Sequence, residues 1–467
     1  MGICLKTLNS IKKNNIKYFM AISVLLLFFT GCEADSDSLG ATIHKDGSVS
    51  FDVENEETLD FYDCAAAYLK GERLEKKSGM LGNIDFGKAK IPNAFKGSVA
   101  GRFTRDENVG QEPPSIKVEA EKTGVSIAMV GDVLLHEPIE IRCRKNDGSY
   151  DFSRIFKNTR DEIENADLAL VNQEVIIGGK ELKVSGYPNF NAPFEIADEL
   201  AESGFDVICH GTNHALDRSG KGIRNCLNYW KDNYPDIHIL GIADSKEKSE
   251  EICVVEVEGI RIAILNYTYG TNGVALPKDM PYGVKLLKEN IVREELTKAE
   301  EIADFTIVCP HWGTEYSLSV SKEQKKWNEL FFELGADLVI GTHPHVIEPV
   351  EWTVDEEKGR KMLTYYSLGN YVNWTSDEGE NILNRMVGAM AKVTLDRDAE
   401  GDVYISNYSV EPLVCHLGEK KEGICVYPLS GYSEELANSN LIKKQVPSFT
   451  IEKCKELCDE VFGDLWH

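Results

Sequence analysis

The stretch GTHPHVIEPVE, Gly341 to Glu351, carries the most structural information in this chain. It follows a largely apolar run, Ala336 to Ile340, with the length and composition of a buried strand. A strand ending in Gly-Thr-His-Pro-His throws two imidazoles, His343 and His345, past its carboxyl edge, with a proline stiffening the link. Open α/β sheets bind ligands beyond the carboxyl ends of their strands, and neutral imidazole is the commonest metal ligand.

The same arrangement recurs upstream. AMVGD places Asp132, LALVNQE places Asn172 and Glu174, VICHGTNH places Asn213 and His214, and TIVCPHWGTE places His311 and Glu315. One strand ending in such a side chain is common by chance. Five in order along the chain point to one site.

Working outward, a strand–helix rhythm runs from Val125. Val125–Val130, Leu168–Val171, Val207–Ile208, Arg261–Leu265, Thr306–Cys309, Leu338–Ile340 and Leu363–Tyr366 are strand candidates. Phe152–Asn165, Ala192–Gly204, Gly220–Asn233, Val292–Ala303 and Lys322–Gly335 have amphipathic helical spacing. Alternation of this kind predicts an α/β sheet covered by helices. Val387–Leu395 and Val403–Pro412 read as later strands of a second sheet, and Ile451 to Phe462 as a C-terminal helix. The expected domain organisation is a leader over 1–31, a polar tether over 32–49, an accessory region over 50–120, the α/β domain over 121–417 and an extension over 418–467.

The chain has 467 residues and 42% hydrophobic composition, enough for a full core. It carries 51 basic against 77 acidic residues, a net charge of −26, which excludes bulk attraction to nucleic acid or anionic lipid. A metal site gains from such a field, and an anionic substrate would need local positive charge. Arg218, Lys221 and Arg224 follow the GTNH block and are candidates for that charge, or for a solvated helix face.

The first residues read as a targeting segment. Lys6, Lys12, Lys13 and Lys17 form a basic region, and Tyr18 to Phe29 an apolar one too short for a comfortable membrane span. The segment ends Phe29-Thr30-Gly31-Cys32, which resembles a bacterial lipobox and implies cleavage before Cys32 and lipid attachment to it. The expected location is the extracytoplasmic face of the cell membrane. Of the 12 cysteines, Cys209 and Cys309 sit in apolar strand runs and read as core residues, and no CxxC pair is present.

Several residues have two readings when taken singly. Asp132 is a metal anchor or a helix N-cap. His136 is a ligand or a loop histidine. Glu174 can bridge two cations or face solvent. Asn213 offers a neutral oxygen, leaving His214 free to act as a general acid, and Asp217 either orients His214 or caps a helix. His311 stands at a strand end with Glu315 following it. Asn370, in YYSLGNYV, is either aimed at the site by the turn that Gly369 permits or part of a plain turn. Together these supply about six nitrogen and oxygen ligands, a number that suits two first-row divalent cations. The shell favours Mn, Fe or Zn.

GDVLLHEP, LVNQE, TNHALD, HWGTEY, GTHPHVIEPVE and YSLGNYV, in this order, resemble the signature blocks of the CapA family of bacterial capsule-synthesis proteins, associated with poly-γ-glutamate. The resemblance spans about Val125 to Pro412. It implies a fold similar to calcineurin-like metallophosphoesterases, a four-layer α-β-β-α sandwich of two packed sheets flanked by helices. It also implies Asp132 and His345 on one metal, Glu174 bridging, Asn213, His311 and His343 on the other, and His214 as the acid. The metallophosphoesterase pattern has a histidine two residues after its first aspartate, where this chain has Leu134, and an aspartate where this chain has Glu174. Two functions follow as expectations. One is metal-assisted hydrolysis of a phosphoester or γ-glutamyl polymer; the other is a non-catalytic subunit that guides an anionic polymer beside membrane subunits of a capsule synthase.

Overall fold

In the computed structural model, residues 41–43, 49–51, 124–419 and 423–467 are described. The chain divides into two units, Met1–Lys117 and Val118–His467. In the first, β1 (Ala41–Ile43) and β2 (Val49–Phe51) pair antiparallel. They fall within and just beyond the stretch read as a tether. The leader, Cys32 and nearly all of the accessory region lie outside the described residues.

The other described residues belong to the second unit. Its strands are β3 (Val125–Val133), β4 (Leu168–Asn172), β5 (Val207–Cys209), β6 (His238–Leu240), β7 (Cys253–Val257), β8 (Ile260–Thr268), β9 (Phe305–His311) and β10 (Leu338–Ile340). They continue with β11 (Ile347–Asp355), β12 (Arg360–Leu368), β13 (Asn370–Val372), β14 (Val387–Arg397), β15 (Val403–Leu417) and β16 (Ile424–Pro428). The helices are α1 (Glu137–Cys143), α2 (Ser153–Phe156), α3 (Arg160–Glu164), α4 (Glu195–Glu202), α5 (Ser219–Asn233), α6 (Lys246–Glu250), α7 (Glu289–Ile302), α8 (Lys322–Leu334), α9 (Glu434–Ser439) and α10 (Ile451–Phe462).

Two sheets form. One has the order β16-β15-β14-β3-β4-β5-β6, with β13 also on β3; the other has β11-β12-β10-β9-β8-β7. The period-2 alternation of the second sheet assigns its faces. Ile262, Ile264, Ile307, Cys309, Leu338, Ile340, Leu363 and Tyr365 join the large core that also holds β3, β4 and β5. Their alternates Ala263, Leu265, Tyr267, Val308, Val339, Met362 and Tyr366 pack instead with Val292, Leu296 and Ala299 of α7 and Phe331 of α8. On the far side of the first sheet, Ile196, Ala197 and Leu200 of α4 and Ile223, Cys226 and Trp230 of α5 enter the large core. This is the α-β-β-α layering that the family resemblance implied.

The division between sheets differs from the sequence expectation. The later strands do not make a sheet of their own, because β14 pairs antiparallel with β3, the first strand of the α/β rhythm. The chain leaves the first sheet after β6, builds the second through β12, and returns. Residues 418–467 are also part of this unit: the boundary at 417 falls inside the β15–β16 hairpin, and Cys454, Cys458 and Phe462 of α10 are buried in the core. The helix read over Phe152–Asn165 is two short helices, α2 and α3, broken where Thr159 Oγ1 turns back to the Phe156 carbonyl at 3.1 Å.

Two glycines bring the sheets' carboxyl ends together. A Cβ on Gly131 would lie 1.9 Å from the Gly369 carbonyl, so only glycine lets β3 pass this close to the β12–β13 turn. A Cβ on Gly341 would lie 2.1 Å from the Tyr366 carbonyl. The next residue after Gly131 is Asp132, and two residues after Gly341 comes His343.

Candidate metal centre

The carboxyl ends of β3, β4, β5, β9 and β10 converge on one buried cluster. Asp132, Asn172, Glu174 and His311 are completely buried, and Asn213, His214, His343 and His345 nearly so. The first sheet brings carboxylates, amides and His214. The second brings His311, His343 and His345.

Asp132 is not a helix N-cap; it lies inside β3. Its Oδ1 accepts a 2.8 Å bond from Asn172 Nδ2, and its Oδ2 lies 3.3 Å from the His343 backbone nitrogen and 3.1 Å from His345 Nδ1. Asn370 sits beside them: its Oδ1 is 3.1 Å from His345 Nδ1, and its Nδ2 donates to the His345 carbonyl at 3.0 Å. Asn370 therefore fixes the orientation of the His345 ring. His311 Nε2 lies 2.9 Å from Asn213 Oδ1, and its Nδ1 3.0 Å from Thr342 Oγ1.

Glu174 occupies the centre. Neither carboxylate oxygen has a hydrogen-bond partner. His214 Nε2 and His311 Nε2 lie 3.9 and 3.8 Å from Oε1, and His345 Nδ1 lies 3.7 Å from Oε2. Those separations are too long for hydrogen bonds and suit atoms that share a central ion. Leaving a buried carboxylate unpaired costs several kcal/mol. Burial accordingly raises the Glu174 pKa well above the carboxylate range, and the charges of Asp132 and Glu315 add to it. Burial lowers His311 and His343 well below the usual imidazole value, with the neighbouring imidazoles adding to the effect. Burial opposes charge on His345 too, but the Glu174 and Asp132 carboxylates outweigh it and hold that ring up at about 9.

Three sets of donor atoms lie within 4.8 Å of one another: Glu174 with His311 and His343, Asp132 with Glu174 and His345, and Glu315 with His343 and His345. Glu174 belongs to the first two, so one carboxylate faces both halves. His343 Nδ1 has no partner. These orphaned, deeply buried donors fit divalent cations. The backbone holds them under strain, since His343 (φ 99°) and His345 (φ 60°) both adopt the left-handed conformation that glycine, lacking a Cβ, prefers.

His214 stands at the rim. Its Nδ1 lies 2.7 Å from Asp217 Oδ2, which also accepts the Phe190 backbone N–H at 2.7 Å. Asp217 thus orients the ring and leaves Nε2 facing Glu174. His136 is adjacent but separate. It is the N-cap residue of α1, packs edge-on against Phe190 at 5.2 Å between ring centres, and belongs to none of the three donor sets. Burial pushes its pKa down to about 4. Leu134 lies in the hydrophobic core, so no imidazole enters from that position. Glu315 is exposed and reaches the cluster only beside His343 and His345. Arg224 pairs with Asp279 and Lys221 with Glu181 on the surface, while Arg218 binds Ser185 and the Asn189 carbonyl.

Sequence reasoning missed the loop after β8. Tyr269 packs beside His343 with ring centres 4.5 Å apart and planes tilted by 41°. Asn272 accepts from Asn213 Nδ2 at 3.2 Å and sits 3.5 Å from His214 Nε2. The Asn272-Gly273 pair was the available turn signal. Its link to the site is hidden because β8 runs on to Thr268, three residues past its expected end at Leu265.

Comparison with known proteins follows the same residues. The family described as "Bacterial capsule synthesis protein PGA_cap" matches residues 126–375. The chain is 25% identical over 267 residues to the capsule biosynthesis protein CapA of Bacillus anthracis, covering 55% of this chain and 62% of that protein. It is 32% identical over 182 residues to the PGA biosynthesis protein CapA of Bacillus subtilis (strain 168), covering 38% of this chain and 45% of that protein. The chain thus spans under two thirds of the length of these relatives. Among solved structures, a 5'-nucleotidase precursor from Thermus thermophilus aligns at 15% identity with a TM-score of 0.37, over 62% of this chain and 54% of that one. A Haemophilus influenzae NAD nucleotidase aligns at 14% identity with a TM-score of 0.40, over 64% of this chain and 61% of that one.

Proposed function

The chain belongs to the bacterial capsule synthesis family PGA_cap, and from that premise we propose that it is a lipid-anchored, divalent-metal-dependent hydrolase acting in capsule-polymer synthesis or export on the outer side of the cell membrane. The observation that carries the reading is Glu174: a fully buried carboxylate with two unpartnered oxygens, ringed by three imidazoles at 3.7 to 3.9 Å.

Asp132 and His345 would hold one cation, Asn213, His311 and His343 the other, with Glu174 between them. Bound there, the cations would polarise a phosphoryl or acyl group and lower the pKa of attacking water. The protein's own groups do the rest. Asp217 accepts from His214 Nδ1 and aims Nε2 at the mouth of the site, where the doubly protonated ring would pass its Nε2 proton to a leaving group and be left as the neutral Nδ1–H form. Asn370 and Asn172 lock His345 and Asp132, respectively, in place. The buried walls exclude water around the carboxylate.

The membrane-anchored part of the proposal rests on the Lys-rich leader and Cys32. Among the described residues no helix is long and apolar enough to cross a membrane. Fatty-acid labelling of cells expressing the chain should be lost in Cys32→Ala; labelling that survives the substitution removes the anchor.

Elemental analysis of the purified chain tests the centre. We expect two equivalents of Mn, Fe or Zn in the parent and their loss in His311→Ala and His345→Ala. Such a result justifies assaying phosphoesters and γ-glutamyl polymers for turnover. No metal in the parent after loading with each ion would sink the hydrolase. It would favour the second reading, a subunit that guides an anionic polymer without turnover. The observation on that side is Leu134, buried where the metallophosphoesterase pattern has a histidine.

A further inference from the structure

We propose that Arg385 is the recognition residue for an anionic group of the substrate, a carboxylate or a phosphate, and that Asp377 occupies its guanidinium in the free protein as a displaceable stand-in. The inference rests on the catalytic reading above for what lies next door, but its evidence is separate.

Arg385 lies on the short helical segment Glu380–Met386 that leads into β14. Its side chain is only 11% exposed. A nearly buried guanidinium is ordinarily met by several acceptors, since it carries five N–H donors in a rigid fork. Here, among the described residues, its one hydrogen bond is from Nη1 to Asp377 Oδ2 at 2.7 Å, and Nε is buried with no partner. The Asp377 side chain is 57% exposed. A half-exposed carboxylate on a loop is weak compensation for a cation taken out of water. The fork is therefore underused, and its geometry matches two oxygens of one planar or tetrahedral anion.

Its position ties it to the centre. The guanidinium carbon lies 3.5 Å from the centre of the Tyr316 ring, a cation–π contact. Tyr316 in turn sits 5.8 Å, ring centre to ring centre, from His345. The Arg385 backbone carbonyl accepts a 3.0 Å bond from Asn370 Nδ2, the same amide that holds His345. Tyr316 takes the left-handed conformation (φ 64°), and its backbone N–H donates to the Pro344 carbonyl, between the two histidines, at 2.7 Å. One continuous set of contacts thus runs from the ligand His345 to the cation. The side chains Asp132, Glu174, Glu315 and Asp217 around the cluster are acidic, so beyond the cations and the His345 ring the protein's own positive charge next to the centre is Arg385. The candidates offered by sequence, Arg218, Lys221 and Arg224, are engaged elsewhere.

Calorimetric titration of the full chain tests this, with a γ-linked glutamate octamer and inorganic phosphate as separate probes and metal content measured in parallel. Arg385→Gln should weaken binding of at least one probe about tenfold, the scale of a lost charge-assisted hydrogen bond. Arg385→Lys, which keeps the charge and loses the fork, should recover only part. Asp377→Asn should tighten the same probe several-fold, with Tm measured alongside because the guanidinium loses its partner. Loss confined to the octamer assigns the subsite to carboxylate; loss confined to phosphate assigns it to a phosphoryl group. Unchanged affinities in both Arg385→Gln and Asp377→Asn would overturn the proposal. Because Arg385 touches no metal donor, metal retained in these variants separates failure of the subsite from failure of the metal centre.

Discussion

Glu174 and Glu348 are both completely buried carboxylates, and the molecule treats them in opposite ways. Burial raises the pKa of each. Glu348, on β11, is answered locally at one oxygen: Gln324 of α8 donates an amide N–H to its Oε2 at 2.5 Å while Oε1 has no partner, and its pKa of about 8 lets it stay neutral near physiological pH. Glu174 receives no such bond. Its surroundings are imidazoles from both sheets, held too far away to donate and close enough to share an ion. One carboxylate is accommodated by protonation and an amide. The other is left for a cation, and that contrast separates a structural acid from a ligand when burial and pKa direction alone do not.

The strongest way to break this comparison is to remove both charges in turn. Glu174→Gln should abolish tight binding of transition metal, since it takes a donor from both halves of the centre. Glu348→Gln should leave metal content at the parent level. Elemental analysis after dialysis reads both. Equal metal in the two variants would mean that the unpartnered oxygens of Glu174 face no ion.

A second test sharpens the role of the two sheets. Ile307 and Leu296 are each fully buried, but Ile307 lies in the core shared by the sheets and Leu296 in the core between the second sheet and α7. Truncating either to alanine should cost about 2 to 5 kcal/mol of stability, from lost burial and the cavity left behind. Only Ile307→Ala should also weaken metal binding, because it loosens the packing that holds the His311 half against the Asp132 half. Equal metal affinity in both variants would show that the centre is held by its own hydrogen bonds and not by the sheet interface.

How much of this was legible in sequence follows from the same physics. Strand ends carrying polar residues after apolar runs are visible because burial and chemistry change abruptly there, so Asp132, Glu174, Asn213, His311, His343 and His345 could be picked out without coordinates. The sheet to which each strand belongs is not local information. β14 looks like any alternating strand, and its pairing with β3 is set by a return of the chain after more than two hundred residues. Arg385 was invisible for a related reason. Nothing in NILNRMVG distinguishes it from a surface arginine until the fold places Tyr316 under its guanidinium. Asn272 and Tyr269 were lost through a strand end misplaced by three residues.

Protonation gives a third, smaller test. Glu348 has a folded pKa of about 8, above its unfolded value near 4.3. Between those values the folded state holds a proton that the unfolded state has lost. The contribution is therefore most favourable at low pH and declines as pH rises through the window from about 4 to 8. Glu140, also at about 8, and Asp337, at about 7, act in the same direction, so the informative quantity is the difference between variants. Denaturant unfolding at pH 5 and pH 8 should show a smaller loss of stability in Glu348→Gln than in the parent. An identical loss would mean that Glu348 is ionised in the folded protein at both pH values.

The smallest effect belongs to the cap that serves Glu348. Ser321 opens α8 with a capping box: its Oγ accepts the Gln324 backbone N–H at 3.2 Å, and Gln324 Oε1 accepts the Ser321 N–H at 2.8 Å. The same Gln324 side chain then uses its nitrogen on Glu348. The cap therefore does more than end a helix, since it sets the rotamer that keeps the buried acid partnered. Ser321→Ala should cost about 1 kcal/mol, the usual worth of an N-cap, and lower Tm by about 2 °C. If the cap also positions Gln324 for Glu348, combining Ser321→Ala with Glu348→Gln should cost less than the sum of the two at pH 8, because residues in one hydrogen-bond network do not act additively. Strict additivity would show that Gln324 reaches Glu348 without help from the cap. Metal content should not change in either case, which keeps this network apart from the one around Glu174.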